Sequence, residues 1–177
     1  MRILVLGGIR SGKSQWAETA VERAAGPDTE VRYLATGAAA DTDDAWAARV
    51  DAHRRRRPAH WTTVESTDVA TTLTATPVVA TLVDDIGGWL TSTMDQRGAW
   101  TGASIGADVD ALVRAVREFP ADLVLVSPEV GLTVVPATAS GRRFADELGT
   151  LNQRLATVCD RVVLVVAGQP VTVKEPT

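Results

Sequence analysis

One cysteine, Cys159, is the only one in the 177 residues, which excludes an internal disulfide and fits a reducing cytoplasm. No histidine lies near it in the sequence, so it reads as a small buried hydrophobe rather than a nucleophile. Lysine is nearly as scarce: of 18 basic residues only Lys13 and Lys174 are lysines, the other 16 being arginines. There is no basic stretch followed by a long apolar one, so neither a signal peptide nor a membrane span is expected, and a cytoplasmic protein is. The formal net charge of −4 lacks the basic excess of a general nucleic-acid binder. Internal repeats and low-complexity tracts are also missing. What is plentiful is apolar side chain, 45% of the total, enough for one substantial core but over a length short for two. A single domain over 1–177 is expected.

The scarcity of lysine gives one position weight. Gly7-Gly8-Ile9-Arg10-Ser11-Gly12-Lys13-Ser14 fits G-x-x-x-x-G-K-[ST] and follows the apolar run Ile3 to Leu6, as a P-loop should. The chain otherwise uses arginine for positive charge, yet it has lysine where the motif needs a compact ammonium rather than a broad planar fork. Glycines at both ends let backbone N–H groups turn toward phosphate oxygens, and a helix starting near Lys13 adds the positive end of its dipole. Lys13 then reaches the β- and γ-phosphates while the Ser14 hydroxyl serves Mg²⁺.

Apolar runs suited to strands recur at Ile3 to Leu6, Val31 to Ala35, Val78 to Val83, Leu123 to Val126 and Val162 to Val166. Between them lie segments of helical period, an alternation that predicts an α/β fold with a mostly parallel sheet. Helices are expected over Gln15 to Ala25, Asp43 to Arg57, Asp108 to Glu118 and Arg142 to Ala156, with Trp61 to Glu65 as a short strand. Two loops, Asp95 to Gly106 and Pro136 to Gly141, read either as mobile lids or as ordinary surface connections.

A P-loop phosphotransferase also needs a carboxylate at the end of a neighbouring strand to hold Mg²⁺. The run Val78 to Val83 leads into Asp84-Asp85, of which Asp84 continues the strand more closely; the alternative is that both cap the Ile86 to Met94 segment. On a helix, Trp46, Val50 and His53 would share a face, so His53 would point toward protein, either as a packed histidine or as a chemical group. Beside it, Arg54-Arg55-Arg56-Arg57 is a concentrated basic run in an acidic chain, either a solvated face or a phosphate-binding one. His60 has no such context.

Together these segments resemble the bifunctional adenosylcobinamide kinase and adenosylcobinamide-phosphate guanylyltransferase family of cobalamin biosynthesis. The resemblance runs through Leu6 to Ser14, Tyr33-Leu34-Ala35-Thr36, Ala48-Arg49-Val50, His53-Arg54, Arg57-Pro58, Trp61 and Glu65. It continues through Glu129-Val130-Gly131, Val135-Pro136, Gly141-Arg142-Arg143-Phe144 and Leu151 to Ala156. The block Arg-Val-x-x-His-Arg-x-x-Arg-Pro is its most specific part. Departures occur at Asp44-Ala45-Trp46, at Ser127-Pro128-Glu129 and at Thr133, where similar enzymes usually have Asp-Glu-Met, Ser-Asn-Glu and Gly.

The resemblance implies a RecA-like P-loop NTPase fold, a homo-oligomer (trimers occur in the family), and catalysis by Lys13 and His53, with His53 becoming covalently guanylylated. It implies nucleotide contacts from Gly7, Gly8, Ile9, Arg10, Ser11, Gly12, Lys13, Ser14, Ala35, Thr36, Gly37, Arg54, Arg55, Arg56, Arg57, Glu65 and Asp84. Ser14 and Asp84 would hold Mg²⁺; GTP and ATP would be substrates, and adenosylcobinamide and its phosphate the acceptors. A small-molecule kinase without guanylyltransferase activity, or a RecA-like nucleotide-dependent binding module, would use the same P-loop without a covalent histidine.

Overall fold

The computed structural model describes residues 1–37 and 57–176. These form a seven-stranded sheet in the order β3-β2-β4-β5-β1-β6-β7. Its strands are β1 (Arg2–Gly7), β2 (Val31–Ala35), β3 (Trp61–Glu65), β4 (Ala80–Asp84), β5 (Leu123–Pro128), β6 (Arg161–Val166) and β7 (Gln169–Lys174). All pair in parallel except β6 with β7. The helices are α1 (Lys13–Ala25), α2 (Val69–Ala75), α3 (Ile86–Arg97), α4 (Gly106–Glu118) and α5 (Ala139–Val158), with a 3₁₀ turn at Ala99–Thr101.

The strands are apolar on both sides because both faces are covered. Ile3 and Val5 of β1 point with Val124, Val126, Val163 and Val165 toward Ala17 and Val21 of α1. Leu4 points the other way, into a larger core with Leu34, Leu125 and the buried faces of α2 to α5. Among the described residues, α1 is therefore the helix of one face and four helices cover the other. None of these helices is long and apolar enough to cross a membrane.

Every strand expected from the apolar runs is present. β2 and β3 have the expected bounds, while β4 starts two residues later than the expected run and continues through Asp84. Three helices or strands are not among those that periodicity predicts: α3, which the sequence offered only as a segment the two aspartates could cap, α2 and β7. α2 is seven residues of mostly alanine and threonine, buries only Val69 and Leu73, and is started by Asp68, whose side chain accepts from the Thr71 N–H at 3.1 Å. β7 is almost wholly exposed and contains Pro170, which an edge strand tolerates. It returns from β6 through Ala167 (φ 50°) and Gly168 (φ 76°), the paired positive φ of a two-residue hairpin turn.

Cys159 is buried at the end of α5, and burial pushes its thiol up to about 12, so it is unreactive packing as expected. Next to it, Asp160 clamps the start of β1. Its carboxylate accepts from the Arg2 backbone N–H at 2.7 Å and from the Arg2 guanidinium at 2.7 Å.

The Arg2 guanidinium and N–H hold the Asp160 carboxyl below the usual aspartate range. A depressed folded-state pKa adds stability that is fully present above the ordinary aspartate value and is lost as pH falls through the depressed one. Asp160→Asn is therefore expected to lower the thermal midpoint at pH 7, with a gap to wild type that stays constant down to about pH 4 and narrows below it. Melting curves of both proteins from pH 7 to pH 2.5 check this; a gap unchanged at the acid end contradicts it.

Candidate functional site

The loop between β1 and α1 is the expected P-loop, and its backbone is shaped by close approach as much as by glycine freedom. Gly7 ends β1, where a Cβ would lie 2.3 Å from Ser11 Oγ and 2.9 Å from the Val165 carbonyl oxygen. Gly12 has φ +91°, and its missing Cβ leaves room for Gly168 Cα at 3.1 Å. Gly8 has nothing within 4 Å of that position. The loop's other left-handed residue is Arg10, at φ 56°, so part of the curl falls on an arginine rather than on the terminal glycines.

Two neighbouring segments brace the loop. The Gly168 N–H donates to the Ser11 carbonyl at 2.8 Å, and the Glu129 N–H donates to the Gly7 carbonyl at 3.0 Å. Within it, Ser11 Oγ is buried without a partner and Ile9 is 90% exposed. The N-terminus of α1 has neither a side-chain cap nor an acidic residue in its first turn, so its N–H groups are left for an anion. By contrast α2, α3 and α5 are capped by Asp68, Asp85 and Thr138. Lys13 Nζ folds back to the Gly8 carbonyl at 3.3 Å, within reach of the space the loop encircles.

Asp84 stands at the end of β4, but β4 is not the sheet neighbour of β1, because β5 pairs with both and separates them. The expectation of an adjacent strand is corrected by one strand. The gap is bridged from above: α1 packs across β5 and β4, and Ser14 Oγ approaches Asp84 Oδ1 at 3.4 Å. The carboxylate's other oxygen accepts from the Tyr33 hydroxyl at 2.5 Å. Burial, and then the charge of Asp84, push the Tyr33 phenol far above its ordinary value, so it remains a donor.

Asp85 has a different task. Its side chain accepts from the Gly88 N–H at 2.7 Å and caps α3. Burial, reinforced by the neighbouring charge of Asp84, raises its pKa, with the Gly88 N–H opposing. The capping alternative thus holds for Asp85, while Asp84 faces the P-loop.

Ala35, Glu65 and Asp84 share one register row at the carboxyl ends of three adjacent strands. Thr36 is buried, and its hydroxyl donates to the Asp85 carbonyl at 2.5 Å; Gly37 is exposed beside it. Arg57 lies with its guanidinium 3.4 Å over the Tyr33 ring centroid and donates to Thr63 Oγ1 at 2.9 Å. His53, Arg54, Arg55 and Arg56 lie outside the described residues, as does the helix expected over 43–57 apart from Arg57 itself.

Sequence reasoning gave no role to Tyr33, Ser127 or Asn152. Ser127 donates to Asn152 Oδ1 at 2.6 Å, and Asn152 Nδ2 donates to the Pro128 carbonyl at 3.0 Å, so α5 holds the end of β5 from which Glu129 braces the P-loop. A Ser at a strand end and an Asn on an apolar helix face are visible signals, but only the sheet order joins them. Of the two candidate lids, 95–106 contains the end of α3, a 3₁₀ turn with buried Ala99 and the start of α4. It meets the start of α5 where Trp100 stacks on Phe144 at 6.4 Å and Arg143 donates to the Ala103 carbonyl at 3.0 Å. In 136–141, Thr138 caps α5 and Arg142 donates to the Pro136 and Ala137 carbonyls.

The contrast between the first two glycines is testable. Gly7→Ala is expected to destabilise the protein by about 1–3 kcal/mol, since the Val165 carbonyl it would meet belongs to a paired strand and cannot step aside. Gly8→Ala is expected to leave the unfolding midpoint in denaturant within the error of wild type. Equal midpoints for the two variants would mean that the close packing at Gly7 has no energetic weight.

Comparison with known proteins agrees with this geometry. A family model described as cobinamide kinase / cobinamide phosphate guanyltransferase matches residues 3–173. The "bifunctional adenosylcobalamin biosynthesis protein CobU" of Escherichia coli is 37% identical, over 98% of this chain and 100% of that protein. The corresponding CobP protein of Pseudomonas aeruginosa is 40% identical, over 98% of each. Among solved structures, an ATPase from the type III secretion system of pathogenic bacteria superposes with a TM-score of 0.57 at 14% identity. The match covers 92% of this chain and 50% of that one, so this chain spans half the length of that ATPase and shares its fold. An uncommitted likeness to P-loop NTPases would rest on the loop and the sheet alone, but the full-length match does not stop there, and the chain belongs to the cobinamide kinase / cobinamide phosphate guanyltransferase family.

Proposed function

We propose that this protein is a bifunctional, cytoplasmic, single-domain enzyme that phosphorylates adenosylcobinamide and then transfers GMP from GTP to adenosylcobinamide phosphate, giving adenosylcobinamide-GDP. The observation that carries this reading is the family match over residues 3–173. The approach of Ser14 to Asp84 at the mouth of the P-loop supports its phosphoryl-transfer half.

In the first reaction the hydroxyl of the aminopropanol arm attacks the γ-phosphorus of ATP or GTP; an O–P bond forms, the bond to the β,γ-bridging oxygen breaks, the nucleoside diphosphate leaves, and the hydroxyl proton is released to solvent. The transition state is loose, so catalysis is mainly positioning and charge stabilisation by the P-loop amides and Lys13. Ser14 Oγ and the Asp84 carboxylate are hard oxygen donors 3.4 Å apart, a set that fits Mg²⁺, which takes one or two protein oxygens and completes its shell with phosphate and water. Bound there, Mg²⁺ would neutralise phosphate charge.

In the second reaction a neutral His53 nitrogen attacks the α-phosphorus of GTP and pyrophosphate leaves, giving a phosphoramidate. A phosphate oxygen of adenosylcobinamide phosphate then attacks the same phosphorus, the N–P bond breaks and His53 is regenerated. The four arginines that follow His53 disfavour a further positive charge on its ring and offer contacts to the phosphates. Assembly into a homo-oligomer is part of this reading through the family resemblance alone.

Lys13→Ala is expected to slow both half-activities by about 100- to 1,000-fold, equivalent to roughly 2.7–4 kcal/mol of barrier, while leaving the fold intact. Steady-state assays with γ-labelled and α-labelled GTP check this, and near-wild-type turnover in either one contradicts a shared triphosphate site.

His53→Ala is expected to abolish covalent GMP capture and adenosylcobinamide-GDP formation while γ-phosphoryl transfer to adenosylcobinamide stays measurable. Intact-protein mass after incubation with GTP and Mg²⁺ reports the adduct, which should be acid-labile and alkali-stable. If wild type gains no GMP mass, the kinase activity alone remains; if His53→Ala still gains it, His53 is not the nucleophile.

A further inference from the structure

Tyr33 belongs to the Tyr-Leu-Ala-Thr segment at the end of β2, and the two reactions above give it no task. It is only 3% exposed. One neighbour of its ring is Trp61, with centroids 6.4 Å apart, and the Arg57 guanidinium lies 3.4 Å over its face, itself held by Thr63. A ring so enclosed holds its hydroxyl at one place, and that hydroxyl donates to Asp84 Oδ2 at 2.5 Å.

A carboxylate on a short side chain at a strand end can otherwise turn about its terminal torsion. Pinning Oδ2 leaves Oδ1 toward Ser14 Oγ, 3.4 Å away. The kind of donor matters as well. A neutral phenol orients the carboxylate without cancelling its charge, whereas a guanidinium in the same place would neutralise the negative charge a cation needs. Arg57 stands over the face of the ring, and the group that meets Asp84 is the hydroxyl at the ring's edge.

We propose that Tyr33 is a positioning residue: its hydroxyl sets the Asp84 carboxylate so that Oδ1 and Ser14 Oγ face the divalent cation of a bound nucleoside triphosphate together. The inference rests on the reading of Asp84 and Ser14 as the cation's protein ligands.

The test uses the full chain with α,β-methylene-GTP, whose α-phosphorus His53 cannot separate from the β-phosphate, and Mn²⁺ as the probe, its free concentration followed by electron paramagnetic resonance. Tyr33→Phe keeps the ring beneath Arg57 and removes only the donor. It is expected to weaken Mn²⁺ binding to the protein–nucleotide complex about 10-fold, as losing an outer partner of a metal ligand does, with the thermal midpoint close to wild type. Asp84→Asn is expected to weaken it at least as much. Wild-type Mn²⁺ affinity in Tyr33→Phe alongside a loss in Asp84→Asn overturns the role of Tyr33 and leaves that of Asp84 standing. Wild-type affinity in Asp84→Asn removes the reading on which the inference rests. If Tyr33→Phe instead loses thermal midpoint, nucleotide affinity and Mn²⁺ affinity together, Tyr33 is structural packing and the proposal is overturned.

Discussion

The distance between β1 and β4 governs where the parts of the site can meet. β5 pairs with both, and neighbouring strands stand about 4.8 Å apart, so Gly7 and Asp84 leave the sheet roughly 10 Å from each other. A side chain on β1 could not touch Asp84 across that interval. The P-loop and the first turn of α1 can, because the chain leaves β1, curls at Arg10 and Gly12, and starts a helix that lies over β5 and β4. Ser14 on that first turn closes the remaining distance to 3.4 Å. Burial of Ala17 and Val21 against the sheet keeps α1 at this height, so the apolar contact beneath the helix sets the polar geometry at its end.

The same constraint explains how much of the molecule is spent on bracing. Within the P-loop the Ser11 N–H donates to the Gly8 carbonyl at 3.3 Å, and two further bonds come from neighbouring segments. The β6–β7 turn supplies the Gly168 N–H and the end of β5 supplies that of Glu129. The second brace is in turn anchored by Ser127 and Asn152, both buried, through a hydroxyl-to-amide bond and an amide-to-carbonyl bond. β7 would look expendable as a mostly exposed edge strand, yet the turn that begins it is one wall of the phosphate loop. On the far side of β5 the Asp84-Asp85 pair divides its work. Two adjacent carboxylates would compete for one cation or repel each other; here one caps α3 and is raised by burial, and the other faces the P-loop with a tyrosine on its second oxygen.

Much of this was legible in the order of residues. Apolar runs separated by helical periods specify strands buried on both faces, which fixes a parallel α/β sheet by burial alone, and the G-x-x-x-x-G-K-S string after the first run locates the phosphate loop because few other sequences can make that curl. The scarcity of lysine singled out Lys13, and the lone cysteine was readable as core. Short elements were not legible: α2 buries two side chains in seven residues and β7 hardly any, so neither leaves the periodic signal that burial produces.

Only the tertiary structure decided which groups meet. Periodicity carries no information about strand order, so the insertion of β5 between β1 and β4 and the meeting of Tyr33 with a carboxylate 51 residues away could not be read along the chain. The sequence by itself determined the kinds of element and the chemistry of the loop, because these depend on contacts within a few residues. The site's geometry depends on pairings between strands distant in sequence, and those are settled by which faces can be buried at once.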